Sequence, residues 1–371
     1  MPPIRRSRPG GLSRRQFLNA SLGAASGAAL SSCGSTLANV QTTVRPDPGV
    51  LYIYTWAGYT DDELIDNFYK ETGVRVIADV FSSNEEMLAK LQAGAGGAYS
   101  VIYPSDYMLQ KMVGLGLVQE LDRARLIGLD LLFDKFASPI YDPDNIHSLP
   151  LSWGTTGLVY NTTVLEPAPE DWDYLWNNRS DLTRRMTLLS DTREVMGASL
   201  KSLGYSYNTT NPDEIEQAYE KLLDLKPSIA AFDTDSWRSQ ILTGDLKVAM
   251  CYSADANEIA KQDANIAYTL PSSGSSIWTD TLAIPNTAPN PDAAYAWLNY
   301  MLQPEVAARI CQRLSFATPN QAAFELLPPD VQENVSLFPP ESALDKSENL
   351  TPIPTDVEEL YDRLWTKLTS V

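Results

Sequence analysis

The chain has 371 residues and a formal charge of −19, with 28 Lys and Arg against 47 Asp and Glu. That length allows two domains with cores of ordinary size. So acidic a balance argues against nucleic acid as a partner and favours long-range attraction of a cationic solute. The single histidine, His147, rules out zinc sites built on His pairs and reads as a surface residue of the loop from Asp142. The sequence has no G-x-S-x-G elbow, H-E-x-x-H helix or Walker motif. It therefore implies no catalytic residue, metal or cofactor.

At the N-terminus, Ser13-Arg14-Arg15-Gln16-Phe17-Leu18 is a twin-arginine export signature. The Ala/Gly/Ser-rich stretch from Ala20 to Leu30 that follows is too short to span a bilayer permanently. Leu30-Ser31-Ser32-Cys33 then has the pattern of a lipoprotein cleavage box. Residues 1–32 are expected to be removed and Cys33 to carry lipid. Their loss takes away five arginines and no acids, so the charge moves from −19 to −24. Residues 33–49, rich in Ser, Thr and Pro, read as a flexible tether. Export would permit a disulfide between Cys251 and Cys311, although Cys251 lies in the apolar run Lys247–Tyr252, where a buried free thiol fits equally well.

From Val50 the pattern is α/β. Leu51–Tyr54 reads as a strand, Thr60–Glu63 as a capping box opening a helix that Gly73 ends, and Val74–Val80 as a second, parallel strand. Asn84 opens a helix with Met87, Leu88 and Leu91 inward, Ser100–Tyr103 is a third strand, and a further helix runs from Met108 to Gly114. The glycines 94–97 end a helix instead of starting one, so they are no phosphate loop. Ligands of open α/β sheets bind beyond the carboxyl ends of the strands, where Trp56, Tyr59, Ser105 and Tyr107 fall.

A second α/β pattern begins at Thr156–Tyr160, after Pro150–Gly154. It continues with a strand at Arg185–Leu189, helices from Asp191 and over Pro212–Leu225, and a strand at Lys247–Tyr252. The chain returns through Trp278–Pro285 to a helix over Asp292–Leu302, which suggests two crossings between lobes; a last helix is expected near Val357–Leu368. If the strand Thr281–Ile284 extends back to Ile277, Trp278 and Asp280 share a face, an indole beside a carboxylate, which suits an organic ammonium. Asp191 and Glu194, three residues apart at a helix start, read as a capping box whose acids retain acceptor capacity for a ligand. Tyr252 ends an apolar strand and is core, rim or ligand-facing.

Leu51–Trp56, Ser82–Glu85, Pro104–Tyr107, Asp191–Val195 and Trp278–Pro285, taken together and in order, resemble the spermidine/putrescine-binding proteins of bacterial ABC importers, over about residues 50 to 371. The resemblance implies an α/β, two-lobed periplasmic binding protein fold with ligand in the interlobe cleft and hinge closure. The lobes would divide as 50–155 and a return segment 281–322 for the first and 156–280 for the second, with 323–371 docking onto the lobes. It implies that Trp56, Tyr59, Tyr107, Tyr252 and Trp278 box the ligand, while Asp191, Glu194 and Asp280 accept its amines with help from Ser105. Three departures stand out: Tyr252 replaces the usual Trp, Ala57-Gly58 replaces polar residues, and a C-terminal Gln has no clear counterpart near Leu350.

The function implied is extracytoplasmic capture of a polyamine, spermidine first and putrescine second, by a lipid-anchored monomer serving a membrane permease. A sugar in the same fold is one alternative. A glycosidase using Asp280 and Glu194 is another, requiring carboxylates ~5–9.5 Å apart.

Overall fold

The computed structural model describes residues 47–370; the export signature, the lipoprotein box with Cys33 and residues 33–46 of the expected tether lie outside the described residues. Strand β1 (Val50–Trp56) leads through helix α1 (Asp62–Thr72) to β2 (Arg75–Phe81), and α2 (Asn84–Gln92) leads to β3 (Val101–Ile102) and α3 (Asp106–Gly114). β1 is parallel to both neighbours, in register from Val50 opposite Arg75 to Trp56 opposite Phe81. The expected capping box at Thr60 is displaced by one residue. Asp61 is the cap, its carboxylate accepting the Leu64 N–H at 2.6 Å while also pairing with Arg309 and Arg313, which a neutral threonine could not do. α2 begins at Asn84 as expected, with Ser83 as its cap.

β4 (Ser148–Asn161) is a single buried strand of 14 residues. It absorbs Pro150–Gly154, expected to precede the second pattern, and its register shifts between Pro150 and Ser152, an irregularity of the kind that accommodates a strand proline. The chain continues through β5 (Met186–Leu188), α4 (Thr192–Ser202), α5 (Pro212–Leu225), β6 (Ile229–Phe232), β7 (Val248–Tyr252), α6 (Ser253–Ala260), β8 (Ile266–Thr269) and β9 (Ser276–Ala283). Helices α7 (Pro291–Leu302) and α8 (Pro304–Leu314), the short strand β10 (Glu348–Asn349) and α9 (Thr355–Thr369) complete it, with shorter helical turns between. The sheet order is β2-β1-β3-β9-β4-β7-β5-β6, with β10 on β9 and β8 on β4.

Two cores form along this sheet. Leu51, Ile53, Phe68, Met112, Trp297 and Leu298 belong to one, and Leu158, Met186, Val195, Leu222, Val248 and Leu364 to the other, with a satellite around Trp237 and Cys251. β4 passes from one to the other, pairing with β9 up to Thr155 and with β7 from Thr156. Ala323, Leu327 and Leu337 pack in the first core, whereas Val357, Leu360 and Leu364 of α9 pack in the second.

His147 is half-buried: its backbone N–H and Nδ1 meet the Asp142 carboxylate at 3.0 and 3.2 Å, closing the loop before β4, so it is not the surface residue the sequence suggested. Among the described residues no helix is long and apolar enough to cross a membrane. Cys251 and Cys311 are both free and buried, in the satellite and the first core respectively, and burial pushes the Cys311 thiol up to about 12. A thiol reagent added to a Cys33→Ala variant should therefore modify neither cysteine in the native protein and both after unfolding. Modification of a native thiol on the time scale of a free one would contradict this packing.

Candidate functional site

β9 carries Ser276, Trp278 and Asp280 on one face, because strand side chains alternate. Asp280 is only 6 % exposed. Its Oδ1 accepts a hydrogen bond from Ser105 Oγ at 2.7 Å, and its Oδ2 accepts one from the Tyr59 hydroxyl. Asn84 fixes Ser105 from two sides: Nδ2 donates to Oγ at 3.1 Å, and Oδ1 accepts the Ser105 N–H at 3.1 Å. Trp278 meets Tyr252 edge to face, with centroids 6.0 Å apart. Opposite Trp278 in the ladder stands Gly154, where a Cβ would lie 2.3 Å from the indole; the absent side chain is what admits the ring.

At the start of β9, Ser276 Oγ lies 2.7 and 2.8 Å from the two carboxylate oxygens of Glu194 and 2.9 Å from Thr156 Oγ1. Asp191 caps α4 as expected, accepting the Glu194 N–H at 3.0 Å. The reciprocal half of the capping box does not form. The Glu194 carboxyl turns instead to the buried Ser276 hydroxyl on the strand between the cores.

Electrostatically the site is unbalanced. Glu194 is 2 % and Asp106 1 % exposed, Asp191 is half-buried, and none of Asp106, Asp191, Glu194 or Asp280 takes part in an ion pair among the described residues. Burial raises the pKa of all four. Asp106 reaches about 7 against the donors of Asn349 and Tyr107, and Glu194 is raised further by the neighbouring Asp191. Arg193, between Asp191 and Glu194, extends its guanidinium to Thr351 O and Asn208 Oδ1, each at 3.2 Å; the guanidinium donates no hydrogen bond to the acids, although its charge acts to lower the pKa of both. Burying a carboxylate without a partner costs several kcal/mol. Acids so placed, with no ion-pair partner among the described residues, gain by taking in cations.

Of the expected residues, Tyr59, Ser105 and Asp280 are joined by hydrogen bonds, and Tyr252 packs on Trp278. The Tyr252 phenol is raised by burial and then by the charges of Asp191 and Glu194, with Tyr107 beside it, so these residues from both halves converge. Tyr107 Oη donates to Glu85 at 3.0 Å. Trp56 packs on Phe81 in a tilted contact with centroids 4.4 Å apart, following from their pairing at the strand ends. The Ala57-Gly58 departure forms a turn with Gly58 at φ 81°, and Arg313 holds it through the carbonyls of Gly58 and Tyr59 at 2.7 and 3.0 Å. Sequence reasoning missed Asn84, Asp106, Gly154, Ser276 and Asn349. Ser276 was within reach, two residues before Trp278 on the same face; Asp106 lies between two residues that were named.

Two cores linked by strands that pass between them, with acids and rings lining one of those strands, define a solute-binding receptor. The chain belongs to the bacterial extracellular solute-binding protein family, whose profile matches residues 63–339. It is 33 % identical over 340 residues to the spermidine/putrescine-binding periplasmic protein of Salmonella typhimurium, covering 91 % of this chain and 97 % of that one. A putrescine-binding periplasmic protein of Pseudomonas aeruginosa is 32 % identical over 362 residues, covering 92 % and 97 %. Among solved structures, the spermidine/putrescine ABC transporter substrate-binding protein of Streptococcus pneumoniae superposes with a TM-score of 0.78 at 34 % identity, over 86 % of this chain and 98 % of that one. A lipoprotein of Treponema pallidum does so with 0.77 at 29 %, over 86 % and 99 %. The family binds solutes on the extracytoplasmic side and is not one of enzymes, which removes the glycosidase alternative.

Acids held above their ordinary range favour the folded state while protonated. That stabilisation is complete below the unfolded carboxylate range near pH ~4 and is lost as the pH rises through the folded pKa, about 7 for Asp106. Glu86 and Asp233, held low by Ser82 and Ser236 donors, act only at more acid pH. The unfolding midpoint of the ligand-free protein should therefore fall as the pH is raised from about 5 to about 8. A flat or rising profile in calorimetry would contradict the burial of these acids.

Proposed function

We propose that this chain captures a polyamine, spermidine ahead of putrescine, outside the cytoplasm and delivers it to the membrane permease of an ABC importer. The observation that carries the reading is the set of carboxylates formed by the buried Glu194 and Asp280 and the half-buried Asp191, none in an ion pair among the described residues, with the rings of Tyr252 and Trp278. An ammonium gains a charge-assisted hydrogen bond to each acid and ~0.5–2 kcal/mol from a ring face, which offsets the desolvation of both charges. Three acids match the three amino groups of spermidine one to one, whereas a diamine leaves one acid unmatched. The names of the Salmonella and Pseudomonas relatives point to the same ligand class.

In this reading Trp56, Tyr59, Tyr107, Tyr252 and Trp278 wall the aliphatic chain, Asp191, Glu194 and Asp280 take the amines, and Ser105 assists Asp280. The ligand lies between a first lobe of residues 50–155 and 281–322 and a second of 156–280, with 323–371 docked on both. The chain acts as a monomer tethered through lipid on Cys33 after twin-arginine export. Conversion of Cys33→Ser should release the protein from the membrane fraction; retention there would exclude this anchor.

Calorimetric titration with spermidine and putrescine tests the ligand. Because burial disfavours ionised Asp191 and Glu194, a bound ammonium that favours their charged forms should release protons, seen as heat that varies with the buffer. Asp280→Asn should weaken binding by roughly 2–4 kcal/mol while leaving the ligand-free unfolding midpoint near that of the parent. Absence of heat with both amines at high micromolar concentration would overturn the reading.

A further inference from the structure

Behind the acid row, β10 runs parallel to the start of β9, and its residues reach both halves of the molecule. Asn349 Nδ2 donates to Asp106 Oδ2 and to Ile277 O, each at 3.0 Å. Asp106 stands between Ser105 and Tyr107 at the start of α3, and its other oxygen accepts the Tyr107 N–H at 2.8 Å. On the opposite side, Glu348 pairs with Lys201 of α4 and accepts the Ser206 hydroxyl. Asn208 Nδ2 donates to Asn349 O at 2.9 Å, and Asn208 Oδ1 accepts both the Thr351 N–H at 2.9 Å and Arg193 Nη2 at 3.2 Å. Arg193 stands between Asp191 and Glu194. A series of hydrogen bonds thus links Asp106, between Ser105 and Tyr107, to Arg193, one of the two residues between Asp191 and Glu194, without passing through the site.

We propose that Asn349 is a positioning residue for ligand capture, latching the start of α3 to the start of α4 from behind when the lobes are closed. The proposal rests on the binding reading above and deepens it. Its physical basis is that one residue of a two-residue strand is bonded to both bodies: its side chain to Asp106 in the first, its carbonyl to Asn208 in the second. A rigid separation of the lobes cannot preserve both contacts. Opening therefore strips a donor either from the Asp106 carboxylate, which is 1 % exposed, or from the Asn349 carbonyl, and either loss stabilises closure selectively. Encounter with the ligand takes place in the open form, so the latch acts on release and leaves association unchanged.

Stopped-flow tryptophan fluorescence of the full chain with spermidine tests this. Asn349→Ala should speed dissociation by roughly ten- to a hundredfold, the range for a hydrogen bond to a charged group, with the association rate and the ligand-free unfolding midpoint near those of the parent. Asn349→Asp, which sets a carboxylate against Asp106, should speed it further. Asn208→Ala should resemble Asn349→Ala, and the double variant should be no worse than either, because both interrupt one connection. An unchanged dissociation rate in Asn349→Ala, or a loss that appears equally in association and in the unfolding midpoint, would overturn the latch. If the parent protein binds neither spermidine nor putrescine, the polyamine reading fails by itself. Relaxation-dispersion NMR of the ligand-free proteins then decides the latch: a smaller minor population of the closed form in Asn349→Ala supports it, and an unchanged population overturns it.

Discussion

Unpaired negative charge held out of water is the constraint from which the rest of this molecule follows. Each buried carboxylate costs several kcal/mol unless donors or cations meet it, and the fold meets Asp280 with Tyr59 and Ser105, Glu194 with Ser276, and Asp106 with Asn349 and the Tyr107 N–H. These are neutral donors. They make the acids tolerable without neutralising them, which leaves the attraction for a cation intact. The Arg193 guanidinium is held by Thr351 and Asn208 and donates no hydrogen bond to either acid, while its charge still acts to draw the pKa of Asp191 and Glu194 down.

The placement of that charge depends on backbone features remote from chemistry. β9 lies at the junction of the cores, so one strand presents Asp280 to residues of the first and Ser276 to Glu194 of the second. Gly154 leaves room for Trp278, Asn84 orients Ser105, and Arg313 fixes the turn that delivers Tyr59. None of these three residues is bonded to an acid of the site. Each would alter the site through a neighbour, because buried side chains are packed closely enough that a displacement of a few tenths of an ångström is transmitted.

The same division would let the lobes move relative to one another without unfolding. The cores are separate, and β4 and β9 supply continuous backbone between them, so relative motion of the lobes need not break either core. The C-terminal segment is distributed differently, with Ala323 and Leu337 in one core and α9 in the other. Lys111 of α3 pairs with Glu358 of α9 at 2.8 Å, a further contact between the two parts. Such half-exposed ion pairs contribute little to stability, typically below ~1 kcal/mol. They can still bias which of two arrangements is populated.

Much of the local structure was legible in the residues themselves. The strand at Leu51, the glycine end of the first helix, the span Pro212–Leu225 and the shared face of Trp278 and Asp280 follow from side-chain period, capping and left-handed glycine, all short-range effects. Where two neighbouring residues could serve as a cap, the sequence chose wrongly: Asp61 prevails over Thr60 because Arg309 and Arg313, some 250 positions away, fix its carboxylate. The acids and rings could be named from their chemistry and from their order along the chain. Which of them meet was decided only by the tertiary structure, since Glu194 turning to Ser276, Gly154 yielding to Trp278 and Asn349 reaching Asp106 each join residues more than eighty positions apart, and no local propensity encodes a contact of that range.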